Sequence, residues 1–235
     1  MEENNSKKIV DLIPRIVKLL NWLEDCNDLF MQLIRNPAGI GFPNEELLET
    51  KIHCDKSVIQ VGDLSRLLVA YPQDNIWRSC QLFSDKLCKT EASYVPFFLD
   101  IDNSKKNLEY AYSLTRDCLD LLGEIPQFQG LDRMRVVFSG MKGFHIEGKP
   151  TEIVDSQVIR TTLLRGLKRM GRIPIDCSNY FQAGVIDPIH DFIRVTGSIN
   201  SWKSNNILLK RKVIQLSVDE FRRAKIKNIL EKSEI

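Results

Sequence analysis

At 235 residues, 43% apolar and 27% charged, the chain has the material for one large globular domain or for a core domain with a smaller appendage. A formal net charge of +2 gives no whole-molecule signal for a nucleic-acid binder, so such a role has to rest on local clustering of basic residues. The cysteines, Cys26, Cys54, Cys80, Cys88, Cys118 and Cys177, form no CxxC pair; a zinc ribbon is excluded and buried free thiols are expected.

The first residues, MEENNSKK, lack the apolar stretch of a secretion signal, and no apolar run reaches about 18 residues. An intracellular protein with no membrane span is expected. Over 8–36, Ile9, Ile13, Ile16, Val17, Leu20, Leu23, Leu29, Phe30, Leu33 and Ile34 fall at helical spacing, predicting one or two helices with Pro14 in a first turn. Residues 1–60 thus read as an N-terminal helical accessory region. NPAGIGFPNEE interrupts the pattern, and a short helix is expected over 63–70, with Asp63 as N-cap and a stop near Pro72.

From residue 75 the pattern changes. NIWRSCQLF and YVPFFLDID read as strands. A helix follows over 104–122, from Ser104 to a stop at Gly123, with Leu108, Ala111, Tyr112, Thr115, Cys118, Leu119 and Leu122 on one stripe. MRVVFSG and FHIEG are strands around a tight GMKG connection. The next helix, 156–170, turns Val158, Ile159, Leu163 and Leu167 inward and carries Arg160, Arg165, Lys168 and Arg169 elsewhere. FIRVTGSI and KVIQLSV are further strands, and 219–232 is a basic closing helix. Strands and helices mix without βαβ alternation, so the expected class is α+β.

Polar groups converge at three places. In FFLDIDN, Asp100 and Asp102 lie two apart on a strand and share a face, with Leu99 and Ile101 on the other. Two carboxylates there repel unless a cation lies between them, and hard Mg²⁺ or Mn²⁺ suits such donors; taken alone, the pair reads better as a strand end with both acids in water and Asn103-Ser104 capping the next helix. In FSGMKGFHIEG, Gly140 and Gly143 bracket a turn with Ser139, Lys142 and His145 around it. That set suits phosphate, and a hairpin with a surface lysine explains the glycines alone. VIDPIHDFIRVTGSIN supplies another acid, Asp187, and within a strand-like run Arg194, which suits a carboxylate or phosphate, or a core ion pair with Asp187 or Asp191.

The order of these segments, DxD, then SGxKGxH, then an aspartate followed by RxxGS, resembles the archaeo-eukaryotic primase superfamily. Phe98 to Asp102 match its hhhDhD motif, Ser139 to His145 its second motif, and Asp187 with RVTGSIN (Arg194 to Asn200) its third. The resemblance covers roughly residues 75–218. It departs where Asn200 stands in place of a histidine, and where the zinc module of many replicative primases is missing.

The resemblance implies a primase-like, RRM-like catalytic domain over 61–235 with mixed or antiparallel sheets. The activity it implies is template-directed nucleotidyl transfer from NTPs or dNTPs. Asp100, Asp102 and Asp187 would hold two Mg²⁺ or Mn²⁺ ions, with no zinc. Arg78, Ser139, Gly140, Lys142, Gly143, His145, Arg194 and Ser198 would bind the nucleotide. Arg160, Arg165, Lys168 and Arg169 would track single-stranded or primer–template DNA, and a helicase or large primase subunit would be a protein partner. A nucleoid- or plasmid-associated primase-polymerase is the first expectation. A gap-filling end-joining polymerase is the second, and a silent nucleic-acid-binding subunit the third. Since ILEKSEI ends directly after a helix, the chain also reads as a catalytic fragment of a longer protein.

Overall fold

The computed structural model describes residues 14–19, 21–36, 55–88, 97–102, 107–129, 133–141, 143–149, 156–172, 186–187, 192–204 and 207–235. The chain divides into two units, Met1–Val95 with Asp191–Gln215 and Lys232–Ile235, and Pro96–His190 with Leu216–Glu231. Helices combine with antiparallel sheets, so the class is α+β. No helix among the described residues is long and apolar enough to cross a membrane.

The first unit is built on β1 (Phe30–Asn36), β2 (Asp55–Gln60), β3 (Asn75–Ser79) and β8 (Phe192–Arg194), ordered β2-β1-β3-β8 with every neighbour antiparallel. β1 and β2 correct the expectation of a wholly helical N-terminal region. Helix α1 occupies 14–19 and 21–22, and a short 3₁₀ turn covers Glu24–Cys26. β1 lies between two other strands, and Met31, Leu33 and Ile34 are all buried. A strand with both faces covered repeats apolar residues without alternation, and Leu29, Phe30, Leu33 and Ile34 then mimic a helical stripe.

One core cluster joins Ile16, Leu19 and Trp22 of α1 to Leu64 and Leu68 of α2 (Leu64–Ala70), with Met31, Leu33 and Ile76 from the sheet and Val195 just past β8. Asp63 precedes α2 as expected but makes no side-chain cap; its Oδ1 accepts from Arg66 Nη1 at 3.2 Å. The strand expected across FIRVTGSI is two strands. β8 stops at Arg194, Gly197 turns the chain at φ 93°, and β9 (Ile199–Ser204) begins a hairpin with β10 (Ile207–Lys212). A positive φ of that size is strained for any residue with a Cβ, which accounts for the glycine.

A five-stranded sheet is ordered β11-β5-β6-β4-β7, made of β4 (Phe97–Asp102), β5 (Met134–Phe138), β6 (Gly143–Gly148), β7 (Ile186–Asp187) and β11 (Ile214–Ser217), and β4 to β7 lie in the second unit. Leu99, Ile101, Val136, Phe138, Phe144 and Ile146 alternate onto one buried face. Helix α3 (Leu108–Gly123) supplies Tyr112 to a ring cluster with Phe144 and Phe221. The Tyr112 hydroxyl donates to the Ala224 carbonyl at 2.5 Å, which ties α3 to the segment after α5 (Val218–Arg223).

On α3, Ala111, Thr115, Cys118, Leu119 and Leu122 are buried as the stripe requires, and Asn107 caps the helix by accepting from the Tyr110 amide. Ser104, the expected start, lies outside the described residues. Burial, and secondarily Asp117, pushes the Cys118 thiol far above its ordinary pKa, with Arg172 opposing. The closing helix is broken after Arg223: α5 opens on a reciprocal Ser217–Glu220 capping box, and α6 covers Ile226–Ser233.

Helix α4 (Ser156–Arg169) buries Ile159, Leu163 and Leu167, but Val158 is 49% exposed, correcting its inward placement. Val158 is one position off the 159/163/167 stripe, so the helix turns it to solvent. Gly166 of α4 meets Leu121 of α3: a Cβ there would lie 2.1 Å from Leu121 Cδ2. Gly166→Leu is therefore expected to cost about 3 kcal/mol, the upper range for an overpacked core. A Cβ at Gly123 meets nothing within 4 Å. Gly123→Ala should instead stabilise by about 0.5–1 kcal/mol through helix propensity. Urea melts of the two variants check both signs.

Candidate functional site

The second unit's site is set by a hairpin. Ser139 closes the β5–β6 turn twice, its amide donating to the Gly143 carbonyl at 3.1 Å and its hydroxyl donating to the same oxygen at 3.0 Å. Gly140 takes φ 83°, the left-handed conformation a turn this tight requires. The Ser139 hydroxyl and Gly143 carbonyl thus have structural employment. Lys142, expected to add a cation here, lies outside the described residues.

With the turn fixed, Phe138 pairs with Phe144, Val137 with His145 and Arg135 with Glu147. On the other side of β6, Asp100 of β4 pairs with His145, and Asp102 with Gly143. β7 then sets Asp187 opposite Asp100. One cross-strand row therefore runs Val137, His145, Asp100, Asp187, and it joins the acid and histidine of all three sequence segments. His145 Nε2 lies 3.2 Å from Asp100 Oδ1. Its ring meets Phe98 edge-on with centroids 5.2 Å apart. The side chains of Asp102 and Asp187 lie outside the described residues.

The Asp100 side chain is 22% exposed and that of His145 10%, so the row opens to solvent at the acid. Among the described residues no group of three His, Cys, Asp or Glu side chains is placed to hold a metal. Asp100 is the described carboxylate of the row, and carboxylate oxygen is a hard ligand of the kind that suits Mg²⁺ or Mn²⁺.

The adjoining row holds what sequence reading missed. Arg135 Nε donates to Glu147 Oε2 at 2.7 Å, and Arg135 Nη2 donates to the same oxygen. Both side chains are at most 3% exposed. The signal was in the hairpin: residues equidistant from its turn face each other, and Arg135 and Glu147 are oppositely charged and equidistant.

Arg78, Arg194 and Ser198 belong to the first unit. Arg78 is fully buried on β3, with Nη1 donating to the Ser79 carbonyl at 3.0 Å. Arg194 of β8 faces Trp77 in the register and stacks on it, Cζ 4.6 Å from the ring centroid. Since Arg78 follows Trp77 on the same strand, alternation turns Arg78 and Arg194 to opposite faces of this sheet. Arg194 Nη1 donates to Asn75 Oδ1 at 3.3 Å, and that oxygen also accepts from the Ser201 amide at 2.9 Å. Ser198 Oγ donates to the Val195 carbonyl at 2.7 Å and staples the Gly197 turn. The buried Asn75 that gathers β3, β8 and β9 had no motif to announce it.

On α4, Arg165 and Arg169 are exposed, Arg160 and Lys168 half-buried. Arg169 Nη2 approaches Glu124 Oε1 at 3.5 Å with both ends in solvent, a pairing of little energetic weight. Arg172, just past the helix, differs: its Nε donates to Asp117 Oδ2 at 2.5 Å and its Nη2 to Ser113 Oγ at 2.6 Å, holding α4 to α3.

Compared with known proteins, the chain matches no protein-family model, and no curated protein is significantly similar to it in sequence.

Proposed function

We propose that the chain is a template-directed nucleotidyltransferase of the archaeo-eukaryotic primase type, joining NTPs or dNTPs through phosphodiester bonds with release of pyrophosphate. One observation carries the reading: His145, Asp100 and Asp187, from three distant segments, take successive positions in one cross-strand row. A chance set of motifs gives no reason for that alignment. Asp100, Asp102 and Asp187 are the residues that would hold two divalent ions. When bound, such ions supply neutralising charge to a triphosphate and acidify an attacking hydroxyl.

The chain's own residues do the rest by binding and orienting. The amides of the Gly140 turn and the Lys142 cation suit the outer phosphates. His145 presents an N–H at the rim of the acidic row. No protein nucleophile is needed, because positioning and charge stabilisation suffice for phosphoryl chemistry. Helix α4 has four basic residues and no acid among its fourteen residues, and it suits the sequence-independent grip of a nucleic-acid backbone. A helicase or large primase subunit remains the protein partner that the family likeness suggests.

The test supplies Mn²⁺ or Mg²⁺, labelled NTPs and dNTPs, and three templates: single-stranded, primed, and gapped with a 5′-phosphate. The native chain is compared with Asp100→Ala plus Asp102→Ala. Products on bare template, abolished in the variant, are expected of a primase-polymerase. Extension confined to primed or gapped template indicates the end-joining class. Equal products from both chains, or none from the native one, would overturn the reading.

A further inference from the structure

We infer that His145 is a positioning residue for Asp100, holding its carboxylate in the orientation that receives a divalent ion before any nucleotide arrives. This rests on the metal reading proposed above and adds to it a role that phosphate binding does not require. Three features fix the imidazole. β6 is locked to β5 by the doubly stapled Ser139 turn, so His145 cannot slip out of register. Phe98 sits edge-on against the ring. Asp100 is the direct partner of His145 on β4, with Nε2 and Oδ1 3.2 Å apart, inside hydrogen-bonding range.

A partly exposed aspartate on a strand samples several rotamers, and freezing it costs free energy that a cation would otherwise have to supply. A neighbour that already engages Oδ1 removes part of that cost. Asp187 stands at the facing position on the opposite side of Asp100 from His145. The central acid therefore has an orienting group on one flank and a candidate co-ligand on the other. Partners of this kind behind a ligating carboxylate change metal affinity by about 10–100-fold when removed.

The experiment is nucleotide-free Mn²⁺ binding, read by electron paramagnetic resonance, on the wild-type chain and on Asp100→Asn, His145→Leu and His145→Gln. Omitting nucleotide makes it blind to any phosphate contact. Wild type should bind Mn²⁺, and Asp100→Asn should lose the tight site. His145→Leu, which keeps the packing on Phe98 without the N–H, should bind about 10–100-fold more weakly. His145→Gln, which keeps a donor at similar reach, should recover most of the affinity. If thermal melts show that the leucine variant does not fold, His145→Asn, whose amide is too short to reach Oδ1, carries the same expectation. His145→Leu or His145→Asn binding like wild type while Asp100→Asn does not would overturn the inference and leave the metal reading standing. Wild type showing no Mn²⁺ binding that depends on Asp100 would overturn both.

Discussion

If the proposed two-ion site is right, Asp187→Asn is expected to slow nucleotide incorporation about 10³-fold without lowering the thermal melt of the chain. The residue sits on a two-residue strand, and its place opposite Asp100 links the third sequence segment to the acidic row. Like charges at facing positions of an antiparallel pair are destabilising. Neutralising one of them with an isosteric amide should cost the fold nothing and can raise the melt slightly. For catalysis the direction reverses. An ion held there would contribute several kcal/mol of charge stabilisation, and at about 1.36 kcal/mol per decade its loss would slow the rate about 10³-fold. The sharper expectation is non-additivity. If Asp100 and Asp187 hold the same ion, Asp100→Asn with Asp187→Asn is no slower than either alone, because removing one ligand has already emptied the shared position. Steady-state rates of the four proteins decide it. Full activity in Asp187→Asn, or two losses that multiply, would show that these acids do not act as one.

The residues that could be read from sequence are those whose partners are close in the chain. The 134–148 hairpin follows from apolar runs around a glycine turn, and its pairing was implicit in the spacing. The inward stripe of α3 follows from helical periodicity. Leu99 and Ile101 are buried because they alternate with acids. What was illegible depends on distant partners. Nothing local tells Phe30–Asn36 that it will be covered on both faces, so a central strand passed for a helix. Phe192–Arg194 lies far along the chain yet pairs with β3. That pairing sets Arg194 on the face opposite Arg78, which no reading of either segment alone could supply. The facing of Asp100 and Asp187 is of the same kind. Motif order hinted that they share a site, and only strand pairing gives the register.

Breaking the buried Arg135–Glu147 pair is expected to destabilise the second unit about as strongly as truncating one of its buried aromatics. Both side chains are nearly sealed from water, and Arg135 directs two donors to one oxygen of Glu147. Removing either partner takes away the opposite charge at a place nearly sealed from water, so Glu147→Ala or Arg135→Ala should cost about 3–5 kcal/mol by urea denaturation. The double replacement Arg135→Met with Glu147→Leu should cost little, and such swaps have raised stability by about 1–4 kcal/mol elsewhere. The two outcomes follow from one fact: burying both ions costs almost as much as their attraction returns, whereas an ion without the opposite one keeps the cost and loses that attraction. The hairpin also has other devices that hold its register. Phe138 and Phe144 pack at 5.3 Å, and Ser139 closes the turn. His145 should therefore keep its place opposite Asp100 in the double variant, and any activity of the native chain should survive there while each single variant loses it through unfolding. A single variant that melts with wild type would mean that the ion it leaves has water or another partner. A double variant that folds but is inactive would mean that the pair acts on the neighbouring row by its charge, beyond holding the strands together.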